Sequence, residues 1–386
     1  MPPHDFPKTF EALTGSLPFP WQSSLFAKFI ARDIPSSAAI PTGLGKTSII
    51  AIWLCALATK PDTTPRRLVY VVNRRTVVDQ TTAEVERLRE SLEKKPELSE
   101  IRNALTKLLA LPLPTAGASP LAISTLRGQF ADNGEWCADP SRPAVVVGTV
   151  DMIGSGLLFS RYTRGFKTRP LHAGFLAQDV LLVHDEAHLE PCFQSLLETI
   201  VATQKAEANL RELHVIALTA TRRADTANDT APFTLTDADQ VNETVQKRLH
   251  AAKRLSLIPL DEADTLEGKL AAVAKNKPAG RAVLIFTRYV AVALKVAAEL
   301  NKGEHKGSVA MLTGTMRGEE RDALVETNPV FQRFLPDKDR AKHIEPPTGT
   351  VFLVATSAGE VGVNLSAEDI DADQTEMWRN SPSENI

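Results

Sequence analysis

Short apolar runs recur along the chain between longer, more polar segments of helical character. The runs are LVYVV (68–72), AVVVG (144–148), DVLLV (179–183), HVIAL (214–218), AVLIF (282–286), SVAML (308–312) and VFLVA (351–355). They are rich in Val, Ile and Leu and do not alternate with polar residues. A strand with one wet face would alternate, so these runs fit strands of a parallel sheet covered on both faces. Strands alternating with helices predict an α/β architecture built from right-handed crossovers.

The pattern breaks near 222–260, where RRADTANDTAPFTLTDADQ is polar, rich in Thr, Asp and Ala, and has no strong periodicity. A linker is expected there. The predicted organisation is a first α/β unit over 1–235, a linker region over 236–260 and a shorter second unit over 261–386. LPLPTAGASP (111–120) and the stretch around NGEWCADPSRP read as surface loops of the first unit. No internal repeat or low-complexity tract stands out.

Composition narrows the class. The chain has 386 residues, 43% hydrophobic and 24% charged, which fits a globular protein of two domains or one large one. A formal net charge of −3 excludes a polycation that coats nucleic acid or an anionic membrane, so any nucleic-acid contact has to come from local patches. Cys55, Cys137 and Cys192 are far apart and form no Cys-x-x-Cys pair, which points to a reducing compartment without a zinc site or disulfide framework. The start, MPPHDFPKTF, lacks the basic and apolar regions of a secretory signal. No stretch approaches the ~18 apolar residues that span a bilayer. A soluble, cytoplasmic protein with no membrane partner is expected.

The first chemical motif is IPTGLGKTSII (40–50). Gly43, Gly45, Lys46 and Thr47 match the end of the phosphate-loop pattern, in which glycines let backbone N–H groups approach phosphate oxygens. In that chemistry Lys46 reaches the β and γ phosphates and the Thr47 hydroxyl ligates magnesium. Thr47 also opens the apolar run SIIAIWLCALA, a buried helix whose N-terminal dipole would face the phosphates. Ile40 stands where the pattern has Gly or Ala. An incidental Gly-rich turn is the competing reading, but strand, loop and helix occur in the order the chemistry requires.

The second motif is VLLVHDEAHLE (180–190). Asp185 and Glu186 follow an apolar strand, which presents both carboxylates at the C-terminal edge of the sheet, where open α/β sheets bind ligands. Asp185 would hold the magnesium, and Glu186 would orient and deprotonate an attacking water. His188 would couple this site to whatever lies across the cleft. On its own, DEAH is equally an exposed strand end; the phosphate loop upstream favours function.

Phosphate loop, DEAH and LTATRR (218–223), in that order, resemble motifs I, II and III of superfamily-two helicases. PFPWQSSLF (18–26) resembles the Q motif, VVNRRTVVDQ (71–80) motif Ia, and GTVDMIGS (148–155) motif Ib. In the second unit VLIFTRYVAVA (283–293) resembles motif IV and VATSAGEVGVNLS (354–366) motif V. Within that superfamily, GTVDMIGSGLLFS followed by RGFKTRPLHAGFLAQDVLLVHDEAHLEP resembles the CRISPR-associated Cas-three helicase of type I systems, in the form of subtype I-G (formerly I-U).

The resemblance implies two tandem RecA-like domains and an ATP-driven translocase. Such an enzyme moves along single-stranded DNA, reeling in the strand displaced at an R-loop opened by a Cascade-like surveillance complex. It implies ATP and Mg²⁺ as cofactors, with Gln22 reading adenine and Thr42, Gly43, Leu44, Gly45, Lys46, Thr47, Ser48, Asp185 and Glu186 forming the nucleotide site. Lys46, Glu186 and His188 are the catalytic candidates; Thr47 and Asp185 are the metal ligands. Arg74, Arg75, Thr149, Asp151, Thr287, Arg288 and Thr356 would contact nucleic acid, and Thr219 and Thr221 would couple the two activities. Arg161, Arg164, Lys167 and Arg169 add four positive charges within nine residues, with solvated surface charge as the competing reading. Such backbone contacts grip without reading sequence.

Two expected parts have no counterpart. PHDF (3–6) is too little for the histidine-aspartate nuclease domain found in many relatives, so no DNA cleavage by this chain is expected. After NLSAEDIDAD the chain reads QTEMWRNSPSENI instead of the arginine-rich motif VI, whose finger contributes roughly 10³ to 10⁵ in turnover in other phosphate-loop enzymes. A second domain truncated after motif V and impaired in hydrolysis is the expectation, with a separate nuclease or C-terminal fragment as possible partners. A DEAH-type RNA helicase, a restriction-type DNA translocase and a non-enzymatic ATP-binding scaffold for a Cascade-like complex remain alternatives.

Overall fold

The structure is a computed structural model. It describes residues 5–373 apart from 74, 114–117, 127–132, 162–164, 209–210, 220–230, 251–254, 317, 337–339, 342 and 357–364. The chain divides into two compact units, Met1–Ala251 and Ala252–Ile386.

The first unit is built on six strands: β1 (Ser37–Ala39), β2 (Arg67–Val72), β3 (Ala122–Leu126), β4 (Ala144–Thr149), β5 (Val180–His184) and β6 (Leu213–Thr219). Their order across the sheet is β1-β6-β5-β2-β4-β3, and every pairing is parallel. The predicted α/β class with parallel sheets is therefore what the chain adopts. Side chains alternate between two cores. Leu68, Tyr70 and Val72 of β2 face one, with Leu181 and Val183 of β5; Val69 and Val71 face the other, with Val180 and Leu182. Burial on both faces is why these strands read as unbroken apolar runs.

The helix Ile49–Thr59 lies in the first core, with every residue from Ile49 to Ala58 buried. A helix apolar all round is one surrounded on all sides. The helices Phe6–Thr14, Pro20–Ile30 and Ser99–Thr106 pack against it. Its one polar indole, Trp53 Nε1, donates to Pro65 O at 2.7 Å. The second core is closed by Val150–Leu157, Arg169–Ala177 and Pro191–Ala206.

The second unit carries β7 (Ala282–Phe286), β8 (Val309–Leu312), β9 (Val351–Ala355) and β10 (Asp369–Ala372) in the parallel order β10-β7-β9-β8. Its edge strand β10 has the sequence DIDA and is held by charge: Asp371 pairs with Lys277 at 3.0 Å and Asp369 with Arg281 at 3.3 Å. Among the described residues, no helix is long and apolar enough to cross a membrane.

The stretch expected as linker, 236–260, behaves differently along its length. Asp237–Gln240 and Glu243–Leu249 are short helices that belong to the first unit. The reason is burial of two side chains. Val245 sits in the first core, and the fully buried Asp239 carboxylate accepts from Trp21 N at 3.1 Å, Thr236 N at 2.8 Å and Thr236 Oγ1 at 2.6 Å. Residues 255–260 have no regular structure, and Leu255, Leu257, Ile258 and Leu260 are exposed.

Removing the fully buried Asp239 carboxylate strands three donors, one buried and two part-buried, so Asp239→Ala should lower the stability of the chain by roughly 2–4 kcal/mol. Urea unfolding followed by tryptophan fluorescence measures this; a midpoint equal to that of the parent chain would show that these helices are not anchored as described.

Candidate nucleotide and cation site

The loop between β1 and the helix Ile49–Thr59 turns twice through left-handed backbone, at Gly43 (φ 84°) and Gly45 (φ 77°). Only glycine takes this conformation without strain, so both positions follow from the turn. Leu44 between them is fully buried and pins the loop to the core. Ile40 is also fully buried, so the side chain that departs from the phosphate-loop pattern is a core residue. Lys46–Ser48 forms a 3₁₀ turn leading into the buried helix.

Three contacts brace the loop from outside. The Gln22 amide accepts from Phe19 N at 2.7 Å and donates to Ser48 Oγ at 2.7 Å, while Ser48 Oγ donates to Gly45 O at 2.7 Å. Both polar ends of Gln22 are thus engaged within the chain. Arg248, from the second of the short helices, donates to Gly43 O at 2.6 Å and sits 5.4 Å over the Phe19 ring. Nothing in its sequence context marked Arg248.

The two carboxylates emerge where β5 ends between β2 and β6. Asp185 N donates to Val71 O at 2.9 Å, which extends the β5–β2 ladder by one residue. Glu186 then turns into left-handed backbone (φ 50°), a strained conformation for a residue with a Cβ and one that clusters at functional sites. The turn points Glu186 at the loop: its Oε1 lies 2.5 Å from Lys46 Nζ, with the two side chains 30% and 10% exposed. Asp185 is more deeply placed. Burial raises its carboxyl above the usual range, with Lys46 opposing that shift and Glu186 adding to it.

The Asp185 carboxylate is clamped on both sides. Oδ1 accepts from Glu186 N at 3.1 Å and Oδ2 from the Tyr70 hydroxyl at 3.0 Å. Burial, and after it the neighbouring Asp185, push the Tyr70 phenol well above its ordinary pKa. Tyr70 gave no chemical signal in LVYVV, where it passes for one more apolar strand residue. Among the described residues, no group of three or more His, Cys, Asp or Glu could hold a metal ion. A cation of the magnesium type takes one or two protein oxygens and completes its shell with water and phosphate. Thr47 and Asp185 could supply those oxygens, Lys46 and the loop N–H groups could hold phosphate, and Glu186 could take a proton.

His188 lies beside this cluster, with Nδ1 3.5 Å from Glu186 Oε2. His184 faces the other core, edge-on to Phe193, and its Nδ1 is 2.9 Å from Gln194 Oε1. Burial lowers its pKa, with the Gln194 hydrogen bond opposing that shift. Thr42 is exposed on the loop, and Thr219 ends β6 opposite Ala39 of β1.

The residues predicted to touch nucleic acid follow strand ends. Thr149 ends β4 beside Val72, is buried, and starts the helix Val150–Leu157, on which Asp151 is exposed. Arg75 starts the helix Arg75–Lys94; Arg74, Arg164 and Thr221 lie outside the described residues. In the second unit Thr287 and Thr356 follow the neighbouring strands β7 and β9, yet both are buried. Thr287 Oγ1 donates to Tyr289 O at 3.3 Å, and Thr356 Oγ1 accepts from Gly314 N at 3.2 Å. Arg288 is exposed, its guanidinium 5.3 Å over the Tyr289 ring. The basic cluster at 161–169 is split: Arg161 is buried 5.2 Å over the Trp136 ring, Arg169 is half-buried 5.8 Å over the Phe166 ring, and Lys167 is exposed.

A glycine-turned loop after β1 and an Asp–Glu pair after β5 leave the same edge of a parallel sheet with one strand between them, and a second parallel unit follows, which is the arrangement of RecA-like helicase domains. Residues 18–224, more than half of the chain, match the family model described as type III restriction enzyme, res subunit, and the chain belongs to that family. Among solved structures it is similar to the DUF1998 helicase MrfA bound to DNA and AMPPNP, with TM-score 0.55 and 14% identity over 93% of this chain and 44% of MrfA. It is also similar to the DEAD-box helicase Mss116 bound to single-stranded RNA and UDP-BeF, with TM-score 0.52 and 17% identity over 92% of this chain and 65% of Mss116. The chain thus spans less than half the length of MrfA. No curated protein gave a significant match.

Gly45→Ala adds a Cβ in left-handed backbone, 3.4 Å from Gln22 Nε2, and should cost about 1–2 kcal/mol. Gly165→Ala, where the added Cβ meets nothing within 4 Å, is the control and should stay within roughly 0.5 kcal/mol. Thermal unfolding of the two variants would contradict the loop geometry if they shifted equally.

Proposed function

We propose that the chain is an ATP-dependent nucleic-acid translocase acting on single-stranded DNA. The observation that carries this reading is the contact between Lys46 Nζ and Glu186 Oε1, at 2.5 Å across 140 positions of sequence. It brings the phosphate-binding cation and the candidate base into one site. Membership in the restriction res-subunit family and the similarity to a helicase bound to DNA and AMPPNP support ATP and DNA as ligands.

In the proposed cycle Lys46 exchanges Glu186 for the β and γ phosphates of ATP. Gly43 and Gly45 leave room for loop N–H groups to donate to the same oxygens. Thr47 and Asp185 would hold a magnesium ion, which would neutralise charge on those phosphates. Glu186, released by Lys46, accepts the proton of the attacking water. Its left-handed backbone fixes where the carboxylate returns after each turnover.

Gln22 acts on this site through Ser48 as well as, in the proposal, through adenine. Exposed Arg288 and Lys167, with the half-buried Arg169, are the described basic groups best suited to phosphate contacts on the DNA. The CRISPR type I role, with a Cascade-like partner and the displaced strand of an R-loop as track, is the finer form of the proposal. Its support is the 148–191 stretch, which resembles the Cas-three helicase of subtype I-G. RNA is the second reading, favoured by the similarity to a helicase bound to single-stranded RNA.

Steady-state ATPase assays with and without nucleic acid test the proposal. Single-stranded DNA should stimulate turnover more than RNA of equal length. Lys46→Ala should abolish ATP binding, and Glu186→Gln should keep binding while lowering kcat by roughly 10²–10⁴. Equal turnover in Glu186→Gln and the parent chain would remove Glu186 from the chemistry, and stronger stimulation by RNA would reassign the track.

A further inference from the structure

Tyr70 is fully buried in the middle of the sheet, on the face shared with Leu68 and Val72. Packing alone does not require a phenol there, because every other residue of β2 from Leu68 to Val72 is aliphatic. A buried hydroxyl is costly unless it finds partners. This one finds Asp185: it donates to the carboxylate Oδ2 at 3.0 Å. Asp185 Oδ1 is held separately by Glu186 N at 3.1 Å. Two of the roughly four lone-pair positions of the carboxylate are thereby fixed, and the others stay open.

We propose that Tyr70 is a positioning residue of the cation site: its hydroxyl fixes the rotation of the Asp185 carboxylate before the divalent cation arrives. The inference rests on the functional reading above, because it takes Thr47 and Asp185 as ligands of one cation. Partners that orient metal ligands in this way contribute roughly 10- to 100-fold to metal affinity in other proteins. A purely structural phenol would contribute to folding and nothing to cation affinity.

The test uses the full chain and Mn²⁺ as a spectroscopic stand-in for magnesium. Electron paramagnetic resonance measures Mn²⁺ binding to the protein saturated with a non-hydrolysable ATP analogue. Tyr70→Phe should raise the Mn²⁺ Kd by roughly 10-fold. Affinity for the analogue measured in EDTA should stay within about two-fold, because Lys46 and the loop are untouched. In an Asp185→Asn background the same substitution should have almost no further effect on Mn²⁺.

Should Tyr70→Phe fail to fold, the unsubstituted chain labelled with 3-fluorotyrosine serves instead. The chain has three tyrosines, and the ¹⁹F resonance of Tyr70 should move when Mg²⁺ is added to the nucleotide-saturated protein. An unchanged Mn²⁺ Kd in a folded Tyr70→Phe chain, or a Tyr70 resonance indifferent to Mg²⁺, overturns the positioning role while leaving the nucleotide site intact. A parent chain that binds neither the analogue nor Mn²⁺ overturns the functional reading itself.

Discussion

The contact between Lys46 and Glu186 depends on parallel pairing. All strands of the first sheet run the same way, so the loop after β1 and the turn after β5 leave from the same edge, with only β6 between them. In water two such groups would gain little from each other. Here the Lys46 side chain is 10% exposed and the half-buried Asp185 lies near it, so the charges act in a medium of lower dielectric than water. Leaving any one of them unpaired costs more than the pair gains. The buried helix Ile49–Thr59 supplies the rigidity: it cannot move without disturbing a core packed on all sides, so the loop at its N-terminus is presented in one place.

Much of this was legible in the sequence. The seven uninterrupted apolar runs are seven of the ten described strands, because burial on both faces of a parallel sheet leaves an unmistakable composition. The strands that were missed lack that signature. β1 is three residues long, β3 carries Ser124 and Thr125, and β10 alternates Asp with apolar residues and is held to its neighbours by Lys277 and Arg281. The linker expected over 236–260 reads as polar because its anchors are few: one buried carboxylate, Asp239, and one buried valine, Val245, carry it onto the first unit.

The site was legible where chemistry needs a particular residue type and obscure where it needs a particular neighbour. Glycines at left-handed positions, a lysine at a helix start and a carboxylate pair after a strand announce themselves. Tyr70 and Arg248 do not, since one looks like core and the other like a surface charge. Other residues sit where their type alone does not put them. Arg161 reads as part of a basic cluster and lies buried against Trp136, and Thr287 and Thr356 read as free hydroxyls while both are engaged with backbone. Charge and hydroxyl content are visible in a sequence; whether they are already satisfied is not.

The hold of Arg248 on the phosphate loop goes through the main-chain oxygen of Gly43. Every residue has such an oxygen, so replacing side chains between Ile40 and Gly45 leaves the bond's acceptor in place. This part of the site is therefore silent to substitution where the loop itself is written and is encoded more than two hundred positions downstream. The unit that evolution can retune is then the pair formed by the loop's shape and a distant helix, and a fragment ending before that helix would keep the whole phosphate-loop sequence while losing one of the grips that shape it.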